Sequence, residues 1–419
     1  MFKTIFERRT ISWALYDWAN SAFATTVIAG FFPIFFREFW SAGAESVDIT
    51  FRLGVASSIS SLVIVIMAPI LGAIADSAGI KKKLLIIFSY IGILSTLGLF
   101  LVEQGHWLPA IVLFVAGSLG FLGANVFYDA LLIDVAPTSD RIHLVSGLGF
   151  GLGYLGGGIL FALNVFMVLS PETFGFSDSG EAVRVSFVTV GIWWAVFSIP
   201  IILFVKETPV DRTGSKSAVK AAFIQLGETL RNIRSQRTIL LFLLAYWFYI
   251  DGVDTIFRMS VDYGLAIGLD SNDLILALIL VQFVGFPSAI IFGRLGQKIG
   301  AKKGIYIGIC VYVAATVWAY FITSGTEFYI LAVMIGCVIG GIQSLSRSLL
   351  GQIIPHDQSG QYFGFFNMVG KSAAVIGPFL VGWTAAMFGT RNSILCVIAL
   401  FAIGAYLLAY VNTDVEKQS

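Results

Sequence analysis

Long apolar runs alternate with short polar segments along the whole chain. Each run is close to the roughly twenty residues that an α-helix needs to cross about 30 Å of hydrocarbon. Because a bilayer offers no hydrogen-bond partner to an unpaired backbone amide, such runs predict transmembrane helices. We predict twelve spans, at Trp13–Phe36, Leu53–Ala75, Leu84–Val102, Trp107–Val135, Leu144–Leu169, Val185–Val205, Ile239–Phe257, Leu274–Phe292, Ile305–Ile322, Phe328–Ile353, Tyr362–Met387 and Ser393–Val411.

One long polar connection separates the sixth and seventh predicted spans. It contains Pro209, Gly214 and then an amphipathic stretch. We therefore predict an N-terminal six-helix bundle at 1–205, a cytoplasmic linker with an amphipathic helix at 206–236, and a C-terminal six-helix bundle at 237–419. The expected fold class is an all-α membrane protein with two pseudo-symmetric halves.

Three polar motifs recur in the two halves at nearly the same offset. The paired segments are Asp17–Phe23 with Asp251–Phe257, Gly72–Lys82 with Gly293–Lys303, and Asn125–Asp129 with Gln343–Arg347. A duplicated bundle is the usual architecture of a carrier that exposes one central site to each side of the membrane in turn. The repeats therefore favour a carrier.

Composition agrees with a membrane protein, because 57% of the residues are hydrophobic and 12% are charged, against about 25% in soluble domains. The net charge of +1 gives no field that would recruit nucleic acid. With both termini in the cytoplasm, nineteen Lys and Arg residues lie on the cytoplasmic side and five on the other. The positive-inside rule therefore predicts cytoplasmic termini.

Metal, nucleotide and enzyme chemistry lack sequence signals. The three cysteines lie in apolar runs, and the three histidines lie in separate loops, so we expect no metal site. Segment Gly151–Gly156 has the spacing of a dinucleotide-binding loop, but no strand precedes it, and close helix packing explains its glycines. We find neither a phosphate-binding loop nor a catalytic motif. We therefore expect no cofactor, no enzymatic activity, and energy drawn from a gradient.

A glycine- and lysine-rich motif follows the second span. Its glycines permit a tight turn, its lysines can meet anionic headgroups, and its aspartate can pair with a neighbouring helix end. An ordinary positive-inside loop is the alternative explanation. The candidate gating residues are Gly72, Asp76, Gly79, Lys81, Lys82, Lys83 and the nearby Asp134.

Polar and charged residues inside the spans are the strongest functional signal. Seven charged residues lie within or at the ends of the spans, and together they represent an insertion cost of roughly 15–25 kcal/mol, which packing alone would not require. Any single one can serve a structural ion pair. They are Asp17, Asp129, Asp251, Asp254, Arg258, Arg347 and Lys371. Helical spacing places them on polar stripes that should line one shared cavity. The candidate substrate-binding or ion-coupling residues are Asp17, Asn20, Asn125, Asp129, Asp251, Asp254, Gln343, Arg347 and Lys371.

These residues suggest separate roles for acids and bases. The aspartates are candidates for binding a coupling proton, since a cavity that loses water favours a neutral carboxyl group. Arg347 and Lys371 are candidates for holding an anionic group. Acids on the first half and bases on the second suit a zwitterion such as an amino acid.

Several of the same segments carry a family resemblance. They are Trp13–Phe23, Tyr249–Gly252, Gly340–Ser348, Phe363–Phe365, Gly370–Lys371 and Gly377–Pro378. The chain resembles the autophagy-related vacuolar amino-acid effluxers and their bacterial relatives, within the major facilitator superfamily. The motif after span 2 is similar to that superfamily's loop signature. The resemblance implies export of neutral amino acids, and the short loops imply a bacterial inner-membrane member.

We therefore expect a monomeric secondary transporter in a lipid bilayer that carries a small zwitterion, is coupled to H+, and works in efflux. A carrier of lysolipids or drugs is the alternative transport function, since 37 phenylalanines can build an apolar groove. A non-transporting membrane sensor is the alternative from another class.

Overall fold

The computed structural model describes residues 7–136, 138, 141–208, 227, 236–373 and 376–412. Every predicted apolar run is helical. The helices are α1 Arg8–Trp40, α2 Ser46–Ala78, α3 Lys81–Leu101, α4 Trp107–Val135, α5 Ile142–Leu169, α6 Ser179–Phe204, α7 Arg237–Ala266, α8 Ser271–Ile299, α9 Ala301–Phe321, α10 Gly325–Ile353, α11 Ser359–Ala373, α12 Ile376–Phe388 and α13 Arg391–Ala409.

Eleven of these helices, within the described ranges, are long and apolar enough to cross a membrane. The run predicted at Tyr362–Met387 is occupied by α11 and α12, which lie on either side of residues 374–375. Neither is long enough alone to cross the hydrocarbon core at 1.5 Å per residue. The eleventh predicted run therefore corresponds to these two helices.

Several helices begin earlier than hydrophobicity alone predicts, because polar residues form their first turns. Gly79 adopts φ +60°, a left-handed conformation that ends α2 and lets α3 begin at Lys81. The Asp178 side chain accepts a hydrogen bond from the Glu181 amide at 2.8 Å and caps α6. Ser324 and Glu327 form a reciprocal capping box on α10.

Helices α1–α6 belong to the first predicted half, and α7–α13 belong to the second. They meet where α2 packs against α11, α5 packs against α8 and α10, and α4 packs against α11. The three-part division of the chain remains a prediction. Residues 209–226 and 228–235, where the linker helix was predicted, lie outside the described residues.

One end of the bundle carries both described termini. Arg9 donates to the Lys206 carbonyl, and the Lys302 ammonium donates to the Val411 carbonyl at 2.8 Å. We call this the terminal end, and the other the opposite end. The loop between α2 and α3 also lies at the terminal end, because Lys81 and Lys82 donate backbone hydrogen bonds to Glu207.

Candidate functional site

Arg347 is the centre of a hydrogen-bonded cluster between the two halves. Its Nη1 lies 3.0 Å from Asp129 Oδ1 on α4. Its Nε donates to Ser146 Oγ on α5, and its Nη2 donates to the Ser146 carbonyl, both at 2.9 Å. The side chain is only 2% exposed. Because Asp129 and Ser146 belong to the other half, this arginine joins the halves directly.

Asp17 on α1 is a more distant partner of the same guanidinium group. Its Oδ2 lies 3.8 Å from Arg347 Nη1 and accepts a hydrogen bond from the Tyr128 hydroxyl at 3.3 Å. The guanidinium carbon also lies 4.2 Å from the centre of the Phe150 ring, a cation–π arrangement. Asp17 can therefore leave the pair more readily than Asp129, whose contact is shorter.

Asn367 on α11 makes a second bond across the halves. Its amide donates to Asp129 Oδ2 at 3.0 Å, so Asp129 bridges α10 and α11. We call Asp17, Asp129, Ser146, Arg347 and Asn367 the latch. Its members come from five helices that are distant in sequence and close in space.

Two further predicted polar pairs lie near the latch. Asn20 donates to Asn125 at 2.6 Å within the first half. Gln343 accepts from the Tyr154 hydroxyl at 3.1 Å, which adds a contact between the halves. Among residues whose side chains are described, the hydrogen bonds between the halves lie between this level and the terminal end.

The motif after α2 fastens the terminal end. Asp76 accepts from the backbone amides of Gly360 and Gln361, at 2.9 and 2.8 Å, in the first turn of α11. A carboxylate there satisfies free helix amides and complements the positive end of the helix dipole. The Lys81 ammonium lies 3.2 Å from Asp76 and donates to Ser359 Oγ at 2.6 Å. The motif therefore binds α11 across the interface.

Other members of the motif act within the first half. Asp134 lies 3.7 Å from the Lys81 ammonium and accepts from the Thr208 amide at 3.0 Å. The Lys82 ammonium donates to the Val205 carbonyl at 2.8 Å, whereas Lys83 is exposed. The motif thus anchors the end of α6 as well as α11.

Gly72 allows α2 and α11 to touch at their backbones. A Cβ atom at Gly72 would lie 2.1 Å from the Gly360 carbonyl oxygen, which is backbone and cannot rotate away. At Gly54, on the same helix, an added Cβ meets nothing within 4 Å. Closure of the terminal end therefore requires a glycine at 72 and tolerates a side chain at 54.

We expect Gly72→Ala to hold the terminal end apart, because the added methyl group overlaps the Gly360 carbonyl. The alkylation rate of a cysteine at Ser344, in a protein whose native cysteines are replaced, measures this opening. Ser344 is fully buried on α10 and its carbonyl accepts from Ser146. Gly54→Ala is the matched control and should alkylate like the parent. Equal rates in Gly72→Ala and the parent would contradict the contact.

Asp251 is placed differently from the latch. Its two carboxylate oxygens lie 3.1 and 3.0 Å from the Gly377 amide in the first turn of α12, and the residue is 1% exposed. Thr255 Oγ1 lies 3.5 Å away. Asp251 therefore ties α7 to α12 through one backbone amide.

Asp254 and Lys371 lie apart from both arrangements. Across the described ranges, neither makes an ion pair within 4.0 Å, and both remain partly exposed. The nine candidates therefore do not form one cluster. They divide between the latch and its neighbours, the Asp251–Gly377 contact, and the Asp254–Lys371 region.

Sequence reasoning did not assign Ser146, Tyr128, Tyr154, Glu207 or Ser359 to the site. Ser359 carries a usable signal, because a serine just before an apolar run is a preferred helix cap. The others carry none, since a serine or tyrosine inside an apolar span is ordinary until the partner helix is known.

Nearly the whole chain matches known proteins. Residues 43–139 and 133–419 match the family described as Vacuole effluxer Atg22 like. The uncharacterized MFS-type transporter YxiO of Bacillus subtilis is 40% identical, over 99% of this chain and 98% of its own. Autophagy-related protein 22 of Eremothecium gossypii is 22% identical, over 90% and 85% respectively. The human organic anion transporter MFSD10 superposes with a TM-score of 0.74 at 14% identity, over 96% of this chain and 99% of that one.

Proposed function

Because this chain belongs to the Atg22-like vacuole effluxer family of the major facilitator superfamily, as a bacterial member, we propose that it is a secondary active carrier in which the latch closes the terminal end. Opening of the latch exposes the solute-binding site to one side of the membrane, and closure of the latch exposes that site to the other side. Conversion between two such states is what distinguishes a carrier from a channel.

The observation that carries this proposal is the Asp129–Arg347 pair. It joins α4 to α10 at 3.0 Å, and both side chains are nearly excluded from solvent. A buried pair with additional hydrogen bonds is favourable only while its geometry is kept, and each partner is costly if left alone. Such a contact suits two states, one with the pair closed and dry and one with both partners in water.

The solute, coupling ion and direction complete the proposal. The carrier moves a small zwitterion such as a neutral amino acid, exchanges it against H+, and works in efflux from the cytoplasm as a monomer. Asp17 is the coupling acid, since its 3.8 Å contact with Arg347 is the weaker one and its side chain is 14% exposed. Protonation of Asp17 would weaken that contact while Asp129 keeps its own.

The terminal end is proposed to face the cytoplasm of the inner membrane, as the positive-inside rule favours. In a protein without its native cysteines, a cysteine at Ala44 or Ser179 should react with an impermeant thiol reagent added outside intact cells. One at Thr138 should react only after the cells are permeabilised. Labelling of Thr138→Cys in intact cells would reverse the orientation.

Counterflow in proteoliposomes tests the function. Purified protein should drive transient uptake of a labelled neutral amino acid into liposomes loaded with the unlabelled compound, without ATP. Competition of transport by lysolipids, but not by amino acids, would favour the amphiphile carrier. Absence of counterflow, together with solute-dependent changes in structure, would instead favour the sensor.

A further inference from the structure

Three charged side chains near the α7–α11 contact differ from the latch, because none of them makes an ion pair with another side chain that the structure describes. Asp254 and Arg258 lie one turn apart on α7, and Lys371 lies on α11. Asp254 and Lys371 are partly exposed and Arg258 is exposed. Within the part of the chain that the structure describes, no carboxylate oxygen lies within 4.0 Å of either cation. Lys371 therefore has no described carboxylate in contact and can accept one from a solute.

Contacts on both sides fix the position of Lys371. One residue before it, a Cβ at Gly370 would lie 3.1 Å from the Tyr246 hydroxyl on α7. Further along, the Gly377 amide at the start of α12 is held by Asp251 on α7. Lys371 therefore lies beside α7, on the terminal-end side of the Asp251 contact. Asp254 and Arg258 follow on the other side.

Lys371 also adjoins the latch. Asn367, one turn earlier on α11, donates to Asp129, so a change at Lys371 is transmitted along one helix to a latch bond. Asp254, Arg258 and Asp129 all act electrostatically on Lys371. From the opposite end inward, the charges follow in the order Arg258, Asp254, Asp251, Lys371 and Asp129.

Arg347, unlike Lys371, is not free to bind a solute. Its three nitrogens already bind Asp129 and Ser146, and its guanidinium is covered by the Phe150 ring. A ligand could reach it only by breaking the latch. The two basic residues that one sequence pattern assigned to a single role therefore have different surroundings.

We propose that Lys371 is the solute-binding cation, and that it takes the carboxylate of a small solute at the contact between α7 and α11. Asp254, on α7, takes an amino group where the solute has one. Arg258 lies nearest the opposite end and attracts the anion on entry. This assignment rests on the proposed carrier function, and gives Arg347 to the latch alone.

Equilibrium binding to the purified full-length protein tests the assignment by calorimetry. The probes are L-alanine and L-leucine, the deaminated acids propionate and 4-methylpentanoate, and the amides of the two amino acids. The wild-type protein should bind the carboxylates. Lys371→Met should weaken that binding about tenfold or more, because a charge-assisted hydrogen bond is lost, and should leave binding of the amides unchanged.

Two further variants separate charge from fold. Lys371→Arg keeps the cation and should bind within about threefold of wild type, since a guanidinium also holds a carboxylate. Lys298→Met removes an exposed cation at the terminal end and should bind normally. Asp254→Asn should weaken the binding of the amino acids and leave the binding of the deaminated acids unaffected. An equal loss of affinity for both would show that Asp254 does not hold the amine.

Carboxylate binding to Lys371→Met at wild-type affinity would overturn the assignment, and so would a wild-type protein that binds none of the carboxylates. The counterflow assay tests the carrier function independently of binding. Counterflow by wild type with unchanged binding in Lys371→Met would reject this site and keep the carrier. Loss of binding in Lys371→Met without any wild-type counterflow would keep the site and reject the carrier.

Discussion

Replacing Arg347 with alanine is expected to open the terminal end and to abolish transport. The variant leaves Asp129, whose side chain is 11% exposed, without its cation in the closed state. An unpaired buried charge costs about 3–5 kcal/mol, whereas in the open state Asp129 is hydrated. The equilibrium between the states should therefore move by on the order of a hundredfold or more. Faster alkylation of Ser344→Cys, with loss of counterflow, measures both effects.

Companion variants separate the pair from either residue alone. Asp129→Ala should act in the same direction, because it strands the buried Arg347. The exchanged pair Asp129→Arg with Arg347→Asp should partly restore slow alkylation, and removal of both charges should be milder than either single loss. Lys298→Ala, at an exposed position on α8, is the control. An Arg347→Ala protein that stays closed would show that the pair is not a gate.

The second large effect is expected from Asp17→Asn, which should abolish accumulation driven by a pH gradient and preserve exchange. Exchange requires only that the loaded carrier reorients, whereas accumulation also requires a group that binds and releases the coupling proton. Asparagine keeps the shape and can still accept from Tyr128, but cannot titrate. Proteoliposomes assayed with and without an imposed pH gradient separate the two activities.

The control for this variant is Asp178→Asn, since asparagine also caps helices and Asp178 lies at the exposed start of α6. Normal accumulation by Asp17→Asn would show that Asp17 is not the coupling acid. Asp254 would then be the next candidate, because Asp251 is already held by the Gly377 amide.

The sequence predicted the helices well because hydrophobic length depends on local composition. Each apolar run is set by the thickness of the bilayer, so its position needs no knowledge of its neighbours. The errors in the predicted helices lie mostly at their ends. For example, α3 begins at the charged Lys81, because the left-handed Gly79 ends the preceding helix there.

Residue roles were less predictable, because they depend on which helices meet. Asp251 resembles Asp17 by position in the repeat, yet Asp251 accepts from the Gly377 amide whereas Asp17 lies near Arg347. Arg347 and Lys371 were indistinguishable as cations within apolar spans, whereas the structure pairs Arg347 with Asp129 and leaves Lys371 partly exposed. Ser146 carried no signal, because its importance comes from the arginine that binds it.

Reciprocal movement of the two ends is the most direct test of the account. Spin labels at Thr138 and Asp357 report the distance between the halves at the terminal end, and labels at Ala44 and Leu269 report it at the opposite end. In bilayer nanodiscs, Arg347→Ala should lengthen the first distance and shorten the second relative to the parent. Distances that do not change, or that lengthen together at both ends, would contradict alternating access controlled by this latch.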